Sequence, residues 1–203
     1  DAYEPNHSVA IVGWDDDWTS QAPQPGAWLC KNSWGSGWSG DGYFWISYYD
    51  KWAGHHPDMG AVSFRNVVGN VWDRIYSHDY HGWRATLLGP TEAFNAFVAD
   101  GDDALQAVSF YTADAGVTYT ATVYDDFSSG ALGGPLAAVS GTFARRGFHT
   151  VDLPEPVFLP DGEDFYVHLE LSDGSHAYDC TSDIPVLLGG AATLGAEARI
   201  GSW

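Results

Sequence analysis

The sequence predicts a mostly β protein, with a small strand-rich N-terminal part followed by a larger antiparallel β-sandwich. Two observations carry this prediction. In the first 66 residues, short apolar runs are separated by turns rich in Gly, Ser, Asp and Pro, and no helix of useful length is visible. From residue 71 onward, short runs with alternating apolar and polar residues recur at the spacing that is typical of a sandwich.

The N-terminal part is predicted to form a small antiparallel sheet. Residues 15–26 are polar and contain acids and prolines, which marks them as a surface loop between two apolar runs. If the runs before and after this loop pair as antiparallel neighbours, the start of one lies opposite the end of the other. His7 and Asn32 are therefore expected to meet. The predicted strands of this part are residues 7–14, 27–32, 43–49 and 60–66.

The remainder of the chain is predicted to be the sandwich. The clearest alternation is in residues 117–124, where Val, Tyr and Ala side chains occupy one face and Thr side chains dominate the other. We expect a domain of residues 1–69 and a second of residues 70–203, and we leave the tail from residue 185 unassigned. The predicted sandwich strands are residues 71–76, 93–99, 105–112, 117–124, 136–143, 147–153 and 164–171.

Composition limits the classes of partner. Acidic residues outnumber basic ones 27 to 8, which gives a formal net charge of −19 that repels nucleic acid and anionic membrane surfaces. The apolar stretches are interrupted well before the roughly 18 residues that a membrane span needs. We therefore expect no nucleic-acid partner and no membrane span. The acidic surface suits either a high-salt setting or extracellular solubility, and both interpretations stay open.

Two motifs in the first 66 residues carry chemistry. The run HSVAIVGW at residues 7–14 resembles the catalytic-His strand of the papain family of cysteine peptidases, and the run KNSWGSGW at residues 31–38 resembles its catalytic-Asn segment. Asn32 follows His7 by 25 residues, and the acidic loop accounts for the excess over the family's usual gap. The resemblance implies the C-terminal, β-barrel-like half of a papain fold, which is α+β when complete.

The resemblance also implies a role for each residue. His7 would hold the thiolate of a nucleophilic Cys in its charged form and then protonate the leaving amine. Asn32 would accept a hydrogen bond from the other ring nitrogen of His7 and fix its orientation, as Asp does in serine peptidases. Trp34 would shield that hydrogen bond from water, and Trp38 would line the primed side of the cleft.

The nucleophile is not expected to be Cys30. This residue lies on the same strand face as Asn32, but it is flanked by Trp28 and Leu29 in a strand interior, whereas a reactive Cys needs an electropositive and partly exposed site. A Cys30–Cys180 disulfide is conceivable, and two buried free thiols is the preferred interpretation.

The resemblance therefore implies a partner. In the family, the nucleophilic Cys and the oxyanion-hole Gln precede the His by more than a hundred residues, and six residues precede His7 here. We expect an N-terminal peptidase segment that carries both groups, on another chain or on a longer one. Without that segment, this chain is expected to be inactive.

Metal and cofactor sites are not expected. Histidines cluster at His55-His56 with Asp58 nearby and at His78 and His81, but neither cluster follows a recognised metal pattern. The acidic turns at residues 100–103 and 161–164 lack the alternating ligands of a calcium loop. We interpret all of them as solvated surface.

The sandwich resembles the lectin-like domain that follows papain-type peptidase domains in some prokaryotic proteins, through residues 105–112, 119–124 and 147–153. That resemblance implies a glycan as a candidate ligand. Trp72, Tyr80 and Trp83 are candidates for stacking on sugars, although aromatic residues of a sandwich more often lie in its core.

Two functions follow from these observations. The first is a secreted or cell-surface prokaryotic cysteine endopeptidase that acts on polypeptides, to which this chain contributes His7, Asn32 and the sandwich. The alternative is a non-catalytic fragment that binds carbohydrate or protein through the lectin-like domain.

Overall fold

The computed structural model describes residues 7–55, 60–79, 82–180, 182–186 and 190–194. All regular secondary structure in these residues is β-strand, which confirms the mostly β fold class. Among them there is no helix long and apolar enough to cross a membrane. The described residues form two compact units, and along the chain the boundary between them falls between Val71 and Trp72. The strands are β1 (Ala10–Asp15), β2 (Ala27–Lys31), β3 (Tyr43–Ser47), β4 (Ala85–Leu88), β5 (Glu92–Val98), β6 (Asp103–Thr112), β7 (Val117–Ser128), β8 (Ala131–Phe143), β9 (Gly147–Leu159), β10 (Asp164–Leu171), β11 (Ser175–Tyr178), β12 (Ser182–Val186) and β13 (Gly190–Leu194).

The first unit contains one antiparallel sheet with the strand order β1-β2-β3. Its three strands were all predicted, and each is shorter than expected. β1 begins at Ala10 rather than His7, because Ala10 pairs with Lys31 and β2 ends there. A one-residue irregularity between Ile11 and Gly13 shifts the register of this pair. The antiparallel pairing on which the expected meeting of His7 and Asn32 depended is therefore present.

The acidic loop of residues 15–26 folds back onto this sheet. Trp18 stacks on Trp45 with ring centroids 4.2 Å apart, and its carbonyl oxygen accepts the N–H of Gly26 at 2.9 Å. Gly26 has a φ of 113°, and a Cβ there would lie 2.4 Å from the ring of Tyr48. Only glycine fits this position, immediately before β2, without displacing the ring.

The second unit is an antiparallel sandwich, as predicted. One sheet has the strand order β5-β10-β7-β8, and β6 pairs with β9 in the facing sheet. The buried cluster between them draws on both sheets, with Phe110 and Leu153 from one and Tyr119 and Phe165 from the other. The alternation predicted for residues 117–124 holds for the core face, because all four odd-numbered side chains are buried, whereas Thr122 is the one buried side chain on the other face.

Phe165 is a central residue of this core, at 1% exposure. Its ring lies 5.1 Å from that of Tyr76 and 5.3 Å from that of Phe97. We expect Phe165→Ala to lower the free energy of unfolding by about 3 to 5 kcal/mol, since it removes a large buried ring and leaves a cavity. Urea unfolding followed by circular dichroism measures this. The matched control is Phe158→Ala, which truncates a ring that is 63% exposed and should cost about 0.5 kcal/mol or less; equal losses in both variants would contradict the assigned core.

Two predicted strands are absent. Residues 60–66 and 71–76 are extended chain without strand pairing within the described part of the protein. Phe64 is 85% exposed, so the apolar alternation that suggested a strand finds no partner surface there. Tyr76 is instead held through its hydroxyl, which donates to the carboxylate of Asp103.

Four strands were missed. β4 and β11 have four residues each and pair with one another across almost ninety residues of sequence, with Ser175 opposite Leu88. Such short runs carry too few alternating positions to be recognised. β12 and β13 pair antiparallel, and most of this pair lies in the tail from residue 185 that the sequence left unassigned.

Candidate active site

His7 and Asn32 lie in contact at the edge of the three-stranded sheet. Nε2 of His7 is 2.8 Å from Oδ1 of Asn32, with His7 just before β1 and Asn32 just after β2. Both residues project from the same end of one antiparallel pair, as the sequence predicted. The structure thus brings together the two side chains that the papain-like motifs single out.

The hydrogen bonds around Asn32 fix the direction of this contact. Oδ1 of Asn32 also accepts the backbone N–H of Ser33 at 2.8 Å. Because a backbone N–H can only donate, the Asn32 atom at this point must be the carbonyl oxygen, and Nε2 of His7 must carry a proton and donate it. Any exchange of a proton with a reacting group therefore belongs to Nδ1 of His7.

The loop after Asn32 is held closed by backbone hydrogen bonds. The N–H of Asn32 donates to the carbonyl of Gly42 at 3.0 Å, and the N–H of Gly42 donates to that of Trp38 at 2.7 Å. Gly42 has a φ of 87°, and a Cβ there would lie 2.9 Å from the carbonyl oxygen of Gly35. Asn32 is only 6% exposed, and the bonds from His7 and Ser33 satisfy the carbonyl oxygen of its buried side chain.

Two tryptophans of the same loop form a chain of rings beside His7. Trp34 stacks on the imidazole with centroids 5.1 Å apart and an interplanar angle of 29°. Trp38 meets Trp34 edge-on at 5.3 Å and Phe44 edge-on at the same distance. Trp34 is 61% exposed, so its indole covers one face of the imidazole while it stays largely in solvent.

Cys30 lies inside the sheet rather than in the site. It is 1% exposed, and it pairs with Ile11 on one side and Phe44 on the other. Its Sγ is 3.8 Å from the carbonyl oxygen of Trp28, and burial raises the pKa of the thiol. A thiol that is kept protonated is a poor nucleophile. Cys30 and Cys180 are both free thiols, as preferred, but Cys180 is only partly buried rather than buried.

We expect Cys30→Ala in the complete peptidase to keep kcat/KM for a peptide substrate within about threefold of the original value, because a buried protonated thiol contributes packing rather than nucleophilic attack. Cys180→Ala is the matched control, since it removes the other thiol. Loss of activity to background in Cys30→Ala alone, with an unchanged circular dichroism spectrum, would identify Cys30 as the nucleophile.

The acidic turns of the second unit serve structural roles. Asp161 accepts the backbone N–H of Gly101 at 2.8 Å, so the two turns are tied together. Arg74 forms ion pairs with Asp103 at 3.2 Å and Asp100 at 3.5 Å. Among the described residues, no group of three or more His, Cys, Asp or Glu side chains could hold a metal ion.

Two other residues that the sequence singled out, His78 and Trp83, have hydrogen-bond partners in the structure. The interpretation of His78 as solvated surface is wrong, because its Nε2–H donates to the carbonyl oxygen of Ala96 at 2.8 Å and its partly buried ring stacks on Phe97. Trp83 is partly buried and donates its indole N–H to Thr86 at 2.9 Å. His56, Asp58, Tyr80 and His81 lie outside the described residues.

The sequence reasoning missed one group of residues. A groove on the outer face of the β5-β10-β7-β8 sheet is lined by side chains that include Phe94, His168 and Glu170. Strand alternation was the available signal, since β10 places His168 and Glu170 on the face opposite the core residue Phe165. The neighbours across the sheet could not be inferred, because they depend on the strand order.

With the fold and the site described, comparison with known families assigns the two parts. Residues 75–190 match the family model of the lectin-like domain, and residues 1–59 match that of the papain family of cysteine proteases. The chain belongs to the lectin-like domain family and carries before that domain the C-terminal half of a papain-family peptidase domain.

Individual relatives match this chain over different lengths. The probable cysteine proteinase 024R of Invertebrate iridescent virus 3 is 41% identical over 58 residues, which take in 24% of this chain and 11% of that protein. A clostridial Cwp84 cysteine protease after propeptide cleavage superposes with a TM-score of 0.64 at 26% identity, over 88% of this chain and 47% of that chain. The cysteine protease and lectin-like domains of Cwp84, a surface layer associated protein of Clostridium difficile, superpose with a TM-score of 0.62 at 26% identity, over 97% of this chain and 44% of that chain. The chain thus spans less than half the length of each of these proteins.

Proposed function

We propose that this chain supplies His7 and Asn32 of the Cys-His-Asn triad of a papain-like cysteine endopeptidase. The observation that carries the proposal is the 2.8 Å hydrogen bond from Nε2 of His7 to Oδ1 of Asn32. We further propose that residues 1–69 are the peptidase part and residues 70–203 the lectin-like part. This boundary falls between the two matched family segments.

The hydrogen bond between His7 and Asn32 supports a separate role for each residue. With its Nε2 proton held by Asn32, His7 has Nδ1 available to take the proton of a Cys thiol. The thiolate attacks the scissile carbonyl carbon, a C–S bond forms, and the C–N bond breaks as Nδ1–H protonates the leaving amine. Water then attacks the acyl carbon and gives a proton to Nδ1, a C–O bond forms, and the C–S bond breaks so that the acid is released and the Cys sulfur is restored. Trp34 would limit the access of water to the His7–Asn32 bond, which strengthens it.

The nucleophile is assigned to an N-terminal peptidase segment that also carries the oxyanion-hole Gln. Exposed apolar side chains in the first unit support such a partner, because isolated soluble domains rarely leave so many uncovered. On this proposal, the chain without that segment is inactive. The exposed side chains are Ile11, Val12, Val62, Phe64, Val67 and Val68.

We also propose an extracellular or cell-surface location in a prokaryote, with polypeptide substrates. Two observations support it: the similarity to a surface layer associated clostridial protein and the acidic composition, with a net charge of −19. Fractionation of cells that produce the complete protein, followed by immunodetection, tests the location. Retention in the cytosol would contradict it.

Complementation tests the peptidase proposal. The N-terminal segment alone, this chain alone and a co-refolded mixture are compared for hydrolysis of an unfolded protein substrate. We expect turnover only in the mixture, and none when the nucleophilic Cys of the N-terminal segment is replaced by Ala. Hydrolysis by this chain alone would contradict the proposal, and an inactive mixture that nevertheless forms a folded complex would favour the non-catalytic binding alternative.

A further inference from the structure

A groove of about 530 Å³ lies on the outer face of the four-stranded sheet in the second unit. Its volume falls in the range of about 300 to 1,000 Å³ that is common for sites of small ligands. Its lining combines aromatic rings with charged side chains. The residues that carry the argument are Glu92, Phe94, Tyr124, Phe127, His168 and Glu170.

The strand order assembles this groove from three strands. β10 lies between β5 and β7, so that Glu170 is opposite Glu92 and His168 is opposite both Phe94 and Thr122. All of these residues share the face that points away from the core, because side chains alternate along each strand. The sandwich thus presents one continuous row of acidic, aromatic and hydroxyl groups.

The hairpin of β7 and β8 adds a wall. It carries Phe127, whose ring lies 5.2 Å from that of Phe94 and 5.9 Å from that of Tyr166. Phe94 and Phe127 are only partly buried, so they contribute an aromatic surface to the groove. Such a surface packs well against the C–H face of a sugar ring or against a cation.

The charges in the groove are unbalanced. Glu92 and Glu170 stand directly opposite one another on neighbouring strands, an arrangement in which like charges repel. Nε2 of His168 lies 3.5 Å from a carboxylate oxygen of Glu92, and the two form an ion pair only when His168 is protonated. At most one of the two carboxylates is therefore neutralised by this His. A positively charged ligand would relieve the repulsion, and the net charge of −19 favours its approach.

We propose that this groove binds a glycan that carries a protonated amino group. The ammonium lies between Glu92 and Glu170, the apolar face of the sugar ring packs on Phe94 and Phe127, and sugar hydroxyls bond to the hydroxyl of Tyr124. A lysine side chain would satisfy the carboxylates but fill little of the groove, which favours the ring-shaped ligand. The proposal goes beyond the peptidase function and does not depend on it.

Calorimetric titration of the 203-residue chain with a glucosamine tetrasaccharide tests the proposal. We expect binding that becomes at least about tenfold weaker for the fully N-acetylated tetrasaccharide and for Glu170→Gln, since each removes one partner of a charge-assisted hydrogen bond. Glu155→Gln is the matched control, because it removes an exposed carboxylate outside the groove and should leave the affinity unchanged.

Four results would overturn the proposal. They are no binding of the glucosamine tetrasaccharide at millimolar concentration, equal binding of the N-acetylated form, unchanged affinity in Glu170→Gln, and equal binding of a lysine tetrapeptide. Phe127→Ala gives an independent readout, with an expected loss of about tenfold in affinity from the lost ring contact. Circular dichroism of each variant establishes that it is folded before its affinity is compared.

Discussion

Replacement of His7 by alanine in the complete enzyme is expected to reduce kcat for peptide hydrolysis by about 10⁴-fold or more. In the proposed mechanism the imidazole acts twice, since it would hold the thiolate in its charged form and deliver the proton to the leaving amine, and positioned acid–base catalysis alone contributes about 10²- to 10⁴-fold. Its Nε2 is committed to Asn32, so no other atom of the ring can replace Nδ1 in these steps. Steady-state kinetics on a fluorogenic peptide measure the effect.

The matched control for this prediction is His55→Ala. His55 is an exposed histidine of the same unit, and replacing it should leave kcat within about twofold of the original value. A His7→Ala enzyme that keeps more than a tenth of the original kcat would contradict the catalytic assignment of His7.

Replacement of Asn32 by alanine is expected to lower kcat by about 10- to 100-fold, a smaller effect than that of His7→Ala. Hydrogen-bond partners that orient metal-ligating histidines contribute about 10- to 100-fold, and we expect a similar effect here because the imidazole itself survives the loss of Asn32. Asn32→Ala removes the acceptor for both Nε2 of His7 and the N–H of Ser33, so the imidazole loses its orientation and the loop loses one bond.

Asn32→Asp separates orientation from general damage to the loop. Aspartate keeps an acceptor oxygen for both donors, and we expect it to restore part of the activity that Asn32→Ala loses. KM should change little in either variant, since neither removes a group that touches the substrate. Equal activities of the Ala and Asp variants, or near-original kcat in Asn32→Ala, would contradict the orienting role.

The sequence sufficed for the features that local pattern determines. The β1 and β2 runs, the loop between them and the two-residue contact of His7 with Asn32 followed from alternation and from antiparallel pairing of neighbours. The strand at residues 164–171 was also predicted with the observed bounds. In each case the information lies within a short stretch or between consecutive elements.

Features that depend on distant partners could not be predicted. Residues 60–66 have the apolar alternation of a strand, but a strand also needs a neighbour for its backbone groups, and none is present in the described part of the chain. The groove was also missed, because only long-range strand pairing brings its lining residues together. Glu92 and Glu170 become neighbours only because β10 lies beside β5, a pairing that joins strands more than sixty residues apart.

The central claim is that His7 activates a cysteine that this chain does not contain, and the pH dependence of alkylation tests it most directly. The rate of reaction of that cysteine with iodoacetamide is measured in the complete enzyme, with His7 or with His7→Ala. An imidazolium beside a thiolate lowers the pKa of the thiol, so we predict that alkylation with His7 stays fast below pH 7, whereas with His7→Ala it falls away below a pKa of about 8.5, the ordinary value for a thiol. The same pH profile for the two proteins would contradict the account. So would alkylation at Cys30 instead of at the cysteine that His7 is proposed to activate.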